Sequence, residues 1–271
     1  MTAHRVSAAV MRDLANRLSE HDQAVLHRVS ELRFVSGSQL ARLHFAQTEN
    51  PAANARAARR ALLRLTRLGV LERLPRVVGG VRSGSAGFIY RLGLAGQRLA
   101  IERGWQPERR GRRSVVPGTL FLGHCLQVAE LHTLLVEADR SGRIELLELR
   151  AEPACWRSYG GVGAQRATLK PDSYARLGAG DFEDSFFLEV DRGTEGSRAL
   201  DRQLKLYLDY EASGQEQAER GVFPKTLWLA PSAERVTTIE GCIARLPLAA
   251  RELFEVALFA DAVRVVSNTM A

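Results

Sequence analysis

The residues placed to do chemistry are Asp172, Glu189 and Asp191. They stand in the strings Leu169-Lys170-Pro171-Asp172 and Phe186-Phe187-Leu188-Glu189-Val190-Asp191. Carboxylates grouped this way suit a hard divalent cation, Mg²⁺ or Mn²⁺, bound through oxygen. Residues 169–177 alternate and 185–191 form a short apolar run broken by acids, so both read as strands. Gly178-Ala179-Gly180-Asp181 between them is turn chemistry. A hairpin that pivots between Gly180 and Asp181 pairs Asp172 with Glu189. Directly paired residues share a face, with Cβ atoms roughly 5 Å apart. Glu189 and Asp191 lie two apart on one strand and therefore share that face as well. Such a site orients water and neutralises the charge that develops on a phosphate during hydrolysis.

Chemistry of this kind usually draws on a lysine that positions the water. Only three of the 38 basic residues are lysines: Lys170, Lys205 and Lys225. Lys170 precedes Asp172 by two residues and shares its strand face. Lys205 falls on a helix predicted over 197–212. On that helix Gln203 and Tyr207 are four apart and flank Leu200 and Leu204, so they point toward the sheet. Lys205 lies about 200° round the helix from Gln203, in line with Asp201 and Asp209. That is the placement of an exposed, salt-bridged side chain. Which residue serves as the lysine stays open among Lys170, Lys205 and the Gln203/Tyr207 pair.

The elements that would position these residues fall in two halves of opposite charge. Residues 51–113 hold 15 Arg and 3 Glu, a balance of +12, which leaves 23 basic and 28 acidic residues elsewhere, a balance of −5. A basic half beside a mildly acidic one points to a polyanion bound by one half only. After a tail or helix over 1–20, Asp22 is placed to cap a helix to about residue 33, with Val25, Leu26, Val29 and Leu32 inward. Ser36 can cap a short second helix with Leu40 and Leu43 inward. A third helix over 52–68 ends at Gly69, a favoured residue past a helix end. Its Ala58, Ala61, Leu62, Leu65 and Leu68 form an apolar stripe. Arg56, Arg60, Arg64 and Arg67 lie off that stripe, with Asn54 and Arg59 near the helix start. One leucine face and one arginine face suit the major groove of duplex DNA, where Arg reads guanine and grips phosphate. Residues 70–78 and 87–92 read as a β-hairpin wing with Arg82 at its tip and Arg91 on its second strand. Both are candidates for phosphate contacts. A closing helix over 94–103 completes a winged helix-turn-helix at 21–104, and 105–117 reads as a basic linker.

The second half, 118–271, opens with a helix to about residue 139 that carries Glu130. A strand at 144–149, the two acid-bearing strands, the 197–212 helix and a strand at 223–229 give the order α-β-β-β-α-β. A helix over 232–245 and a strand near 254–259 follow. The fold class is α/β in the α+β sense. The Pro171-Asp172 … Glu189-Val190-Asp191 pattern resembles the PD-(D/E)XK nuclease superfamily. Over residues 21–260 the chain resembles the replication-relaxation family of plasmid and mobile-element proteins. The resemblance implies a nuclease-like second domain in which Asp172, Glu189 and Asp191 hold Mg²⁺ or Mn²⁺. Lys205, Gln203 and Glu130 would complete the catalytic set. This chain has Asp191 where the superfamily usually has its lysine.

Apolar residues make up 45% and charged residues 25% of the 271, a globular composition. No apolar stretch is expected to reach the roughly 20 residues of a membrane span, and no secretory signal is seen in 1–17. Cys125, Cys155 and Cys242 are odd in number and widely spaced, which fits a reducing cytoplasm. Two functions stand. One is a DNA-binding protein of a plasmid or integrated element that nicks or cleaves duplex DNA with Mg²⁺. The other is a non-enzymatic winged-helix regulator with a degenerate nuclease fold. Both allow a homodimer and other replication or transfer proteins as partners, and neither involves a membrane.

Overall fold

The computed structural model of the chain describes residues 8–46, 48–74, 87–106, 117–160, 166–179 and 182–268. It is a mixed α and β protein whose contacts divide it into two compact units between Thr133 and Leu134.

The first unit contains α1 (Ala8–Asn16), α2 (Glu20–Leu32), β1 (Val35–Ser36), α3 (Gly37–His44), α4 (Pro51–Arg67), β2 (Leu71–Arg73), β3 (Ile89–Leu92) and α5 (Leu94–Glu102). Helix α2 begins earlier than its sequence suggests. Ser19, not Asp22, is the N-cap, because the two form a reciprocal capping box: Asp22 N–H donates to Ser19 Oγ and Ser19 N–H donates to the Asp22 carboxylate. The other caps follow the sequence. Ser36 and Gln39 box the start of α3, Asn50 and Pro51 start α4, and Gly69 ends it with φ +72°. The three strands form a small sheet in the order β1-β3-β2, with β2 and β3 antiparallel. Val25, Leu26, Val29, Leu40, Leu62 and Leu65 are buried at its helical core.

Helix α5 approaches the backbone at Val70 so closely that a Cβ on Gly96 would lie 2.1 Å from the Val70 carbonyl oxygen. The obstacle is backbone, which cannot swing aside. Gly96→Ala is therefore expected to cost roughly 1–3 kcal/mol, read as a lower denaturant midpoint at unchanged m-value.

Helix α6 (Thr119–Arg140) runs across the division between the units. It corrects one sequence expectation. Its 22 residues include a window of mean hydropathy 1.3, long and apolar enough by composition to cross a membrane, with 44% of that window buried within the protein. Leu122, Cys125, Val128, Ala129, Leu131 and Leu135 are among its buried residues.

The second unit continues with β4 (Glu145–Ala151), β5 (Arg157–Gly160), β6 (Arg166–Leu169), β7 (Ser173–Ala179), β8 (Phe182–Val190), α7 (Ser197–Ala212), α8 (Gln215–Arg220), β9 (Lys225–Ala230), α9 (Ala233–Ile243), α10 (Leu248–Arg251), β10 (Phe254–Leu258) and α11 (Ala262–Asn268). The expected strand over 169–177 is two strands. Pro171 has no N–H to give a ladder, so β6 ends at Leu169 and turns back on β5, while β7 starts at Ser173. The β5–β6 hairpin and the short helices α8, α10 and α11 were not legible in the sequence.

The five-stranded sheet has the order β10-β9-β8-β7-β4. β4, β7 and β8 run antiparallel, and β8, β9 and β10 run parallel. The β7–β8 register is the one expected from the sequence, from Ala179↔Phe182 to Ser173↔Leu188. One face of this sheet packs Tyr174, Phe187 and Trp228 against Leu200, Leu204, Tyr207 and Tyr210 of α7 and Ile239 of α9.

Candidate functional site

The register carries Asp172 to the next position opposite Glu189, just beyond the last ladder pair. Asp172 Oδ2 accepts the Val190 N–H at 2.8 Å. The carboxylate thereby satisfies a strand donor and stays fixed at the strand end. Glu189 is buried, with 4% exposure. Tyr207 Oη donates to Glu189 Oε1, and the Gln203 side chain hydrogen-bonds the same carboxylate. Both come from the inward face of α7, one helical turn apart, as their spacing predicts. Burial, reinforced by the neighbouring Asp172 charge, holds Glu189 well above the ordinary carboxylate range, against the hydrogen bonds from Tyr207 and Gln203. Burial and the Glu189 charge push the Tyr207 phenol up as well. Cys155 is buried beside the pair and donates its thiol to the Pro171 carbonyl at 3.0 Å. Burial and the two carboxylates raise its pKa, so this thiol stays protonated and inert.

Asp191 takes a different partner. Its two oxygens accept from Arg235 Nε at 2.8 Å and Nη2 at 2.6 Å, a bidentate fork. Its Oδ1 also accepts the Gly193 N–H. Lys205 is exposed and donates to Asp209 at 2.7 Å. The Lys170 amine lies 4.8 Å from the centre of the Trp156 ring.

In the first unit, Arg56, Arg60 and Arg67 are exposed on α4 and have no ion-pair partner among the described residues. Arg59 is exposed too, with Nε donating to the Ala55 carbonyl. Asn54 bonds Thr48 at the helix start. Arg64 reaches back to the buried Asp22 at 2.5 Å. Burial alone would raise the Asp22 carboxyl, but hydrogen bonds from Arg64 and Ser19 outweigh it and hold the group below its usual range. Arg91 forms a bidentate pair with Glu72 on the adjacent strand, at 2.9 and 2.8 Å. Arg82 lies outside the described residues. Leu63, 46% exposed, sits among the arginines of α4. The sequence did not single it out, although its position off the leucine stripe was visible.

A family model for replication-relaxation matches residues 26–226. The chain belongs to the replication-relaxation family. No curated protein and no solved structure matches it. Membership gives this replication-relaxation protein a role in plasmid or mobile-element replication-relaxation, with DNA and replication-related partners in general.

The family match spans both units and includes Asp172, Glu189, Asp191, Gln203 and Tyr207, whereas Arg235 lies beyond its end. Glu130 lies within the first unit of this replication-relaxation protein. Arg42 Nη1 donates to it at 2.5 Å and Gln39 Nε2 at 3.0 Å. A separate cleft of about 370 Å³ on the second unit is lined by Glu148, Tyr174, Arg176 and Arg220. Its charges pair with one another.

Proposed function

We propose that this replication-relaxation protein binds duplex DNA through α4 and nicks or cleaves it with a divalent cation held at Asp172 and Glu189. The observation that carries the reading is the grip of Gln203 and Tyr207 on Glu189, beside a fixed Asp172. A sheet-end carboxylate pair oriented by an amide and a phenol from the next helix is a prepared oxygen site. Among the described residues no three His, Cys, Asp or Glu side chains group as a ligand set. Two carboxylates with water in the remaining positions suit Mg²⁺, which keeps several waters and often takes only one or two protein carboxylates. Zn²⁺, with its preference for nitrogen and sulfur, suits this donor set poorly.

When bound, the cation would supply charge neutralisation at the phosphate and a more acidic water. The chain's own residues do the rest. Asp172 and Glu189 hold the cation. Gln203 and Tyr207 orient the Glu189 carboxylate, Tyr207 by donating to Oε1. On the first unit, Arg56, Arg60 and Arg67 of α4 meet phosphates and guanine edges, and Leu63 makes apolar contact with a thymine methyl.

Pure protein incubated with supercoiled plasmid and Mg²⁺ or Mn²⁺ should yield relaxed circles, and EDTA should abolish them. Supercoiled plasmid that stays intact under every metal condition, while DNA binding persists, would establish the rival regulator. One observation favours that rival: Lys205 and Lys170 are both engaged away from the carboxylates. Calorimetry separates the two before any cleavage assay. Mn²⁺ should titrate one site in wild type, and Asp172→Asn should weaken it by roughly tenfold or more.

A further inference from the structure

We propose that Asp191 and Arg235 form a latch, and that Arg235 is a positioning residue for the carboxylate site. The proposal rests on the reading of Asp172 and Glu189 as the cation-holding pair.

The site has two halves on consecutive elements. Glu189 is the penultimate residue of β8, while Gln203 and Tyr207 ride on α7, which starts at Ser197. Six residues, 191–196, join them. Gly193 has φ +69°, Gly196 caps α7 without a side-chain bond, and 192–196 are all exposed. One bond within the connection, from the Gly193 N–H to Asp191 Oδ1, starts its turn, and further anchors come from neighbouring elements. The Asp191 N–H donates to the Leu229 carbonyl at 3.0 Å, which continues the β8–β9 ladder by one step. Arg235, 11% exposed at the start of α9, then closes on both Asp191 oxygens. Its Nη1 donates to the Glu195 carbonyl at 2.8 Å. One planar guanidinium thus ties the first and fifth residues of the connection to a third element. Five rigid N–H donors make arginine suited to such a clamp, and lysine could not span both partners.

The arrangement assigns Asp191 a different task from its neighbours. A bidentate pair buried at 5% and 11% side-chain exposure engages both Asp191 oxygens with the guanidinium. Asp191 is therefore half of an ion pair whose positive partner lies 44 residues downstream. Glu195 sits at the latched end, so the clamp holds the connection that runs from Glu189 on β8 to Gln203 and Tyr207 on α7.

The sign of one measurement decides the matter. Mn²⁺ binding to the full chain is titrated for wild type, Arg235→Ala, Arg235→Lys, Asp191→Asn and the Asp191→Asn/Arg235→Ala double variant. A latch predicts that Arg235→Ala and Asp191→Asn each weaken Mn²⁺ by roughly tenfold, that Arg235→Lys stays weakened, and that the double variant is no worse than either single one. If Asp191 is instead a ligand, Arg235→Ala frees a third carboxylate and Mn²⁺ binds more tightly, which overturns the proposal. Hydrogen exchange on the same proteins reads the latch without metal. Amides over 192–197 should exchange faster in both single variants, while the core of the sheet stays protected and shows that the fold is retained. Unchanged exchange there would also overturn it. Wild type that binds no Mn²⁺ refutes the metal reading alone, and the exchange data then judge the latch separately.

Discussion

Replacing Arg56, Arg60 and Arg67 together with alanine is expected to weaken duplex DNA binding by roughly a hundredfold and to lower its salt slope by about three. The three arginines lie close to one line along α4. They are exposed, and they have no ion-pair partner among the described residues. A cation with no protein partner that faces water is free to displace counterions from phosphate, and each such contact adds nearly one unit to the dependence of log K on log salt. Arg64 belongs to the same helix but is the control, not a member of the set. It neutralises the buried Asp22, so Arg64→Ala should cost roughly 1–3 kcal/mol of stability and leave the salt slope little changed. Fluorescence anisotropy of a labelled duplex at several salt concentrations gives both numbers. A triple variant with the wild-type slope would remove α4 from the interface.

The sequence disclosed what is local and periodic. The pairing of Asp172 with Glu189 follows from a two-residue pivot at 180–181 and the alternation of strand side chains. The inward aim of Gln203 and Tyr207 follows from helical spacing alone. Two features escaped because two local signals competed. Ser19 and Asp22 are both capping residues three apart, and only the reciprocal bonds decide which one is the cap. Pro171 sat inside an alternating pattern, and its missing N–H outweighed the alternation. Other features escaped because nothing local encodes them. The partners Asp191 and Arg235 are brought together by two helices and a strand between them, and no spacing rule links their positions. The same holds for Arg64 with Asp22 and for Glu130 with Arg42. Sequence periodicity places a side chain on a face; it does not say which opposite charge the fold will set against that face.

Glu189 should make the metal-free protein lose stability as pH rises, and Glu189→Gln should remove that loss. The folded protein holds this carboxyl well above its ordinary value near 4.5, first through burial and then through Asp172. The protonated form is therefore the one that folding favours. Its contribution is fully present below the unfolded pKa and is lost as pH climbs through the folded one. Between those limits, wild type should lose about 1.4 kcal/mol per pH unit relative to Glu189→Gln. Glutamine is neutral at every pH and keeps an acceptor for Tyr207. Tyr207→Phe tests the same pair from the other side. It removes a donor to a buried carboxylate, at a cost of roughly 1–3 kcal/mol, and the cost should grow with pH as Glu189 becomes charged. Denaturant melts at pH 5, 6, 7 and 8 in EDTA measure all three proteins. A bound divalent cation prefers the ionised carboxylate, so saturating Mn²⁺ should reverse the trend and stabilise wild type most at the upper end of that range. Parallel curves for wild type and Glu189→Gln, with and without Mn²⁺, would mean that Glu189 neither holds a proton nor meets a cation.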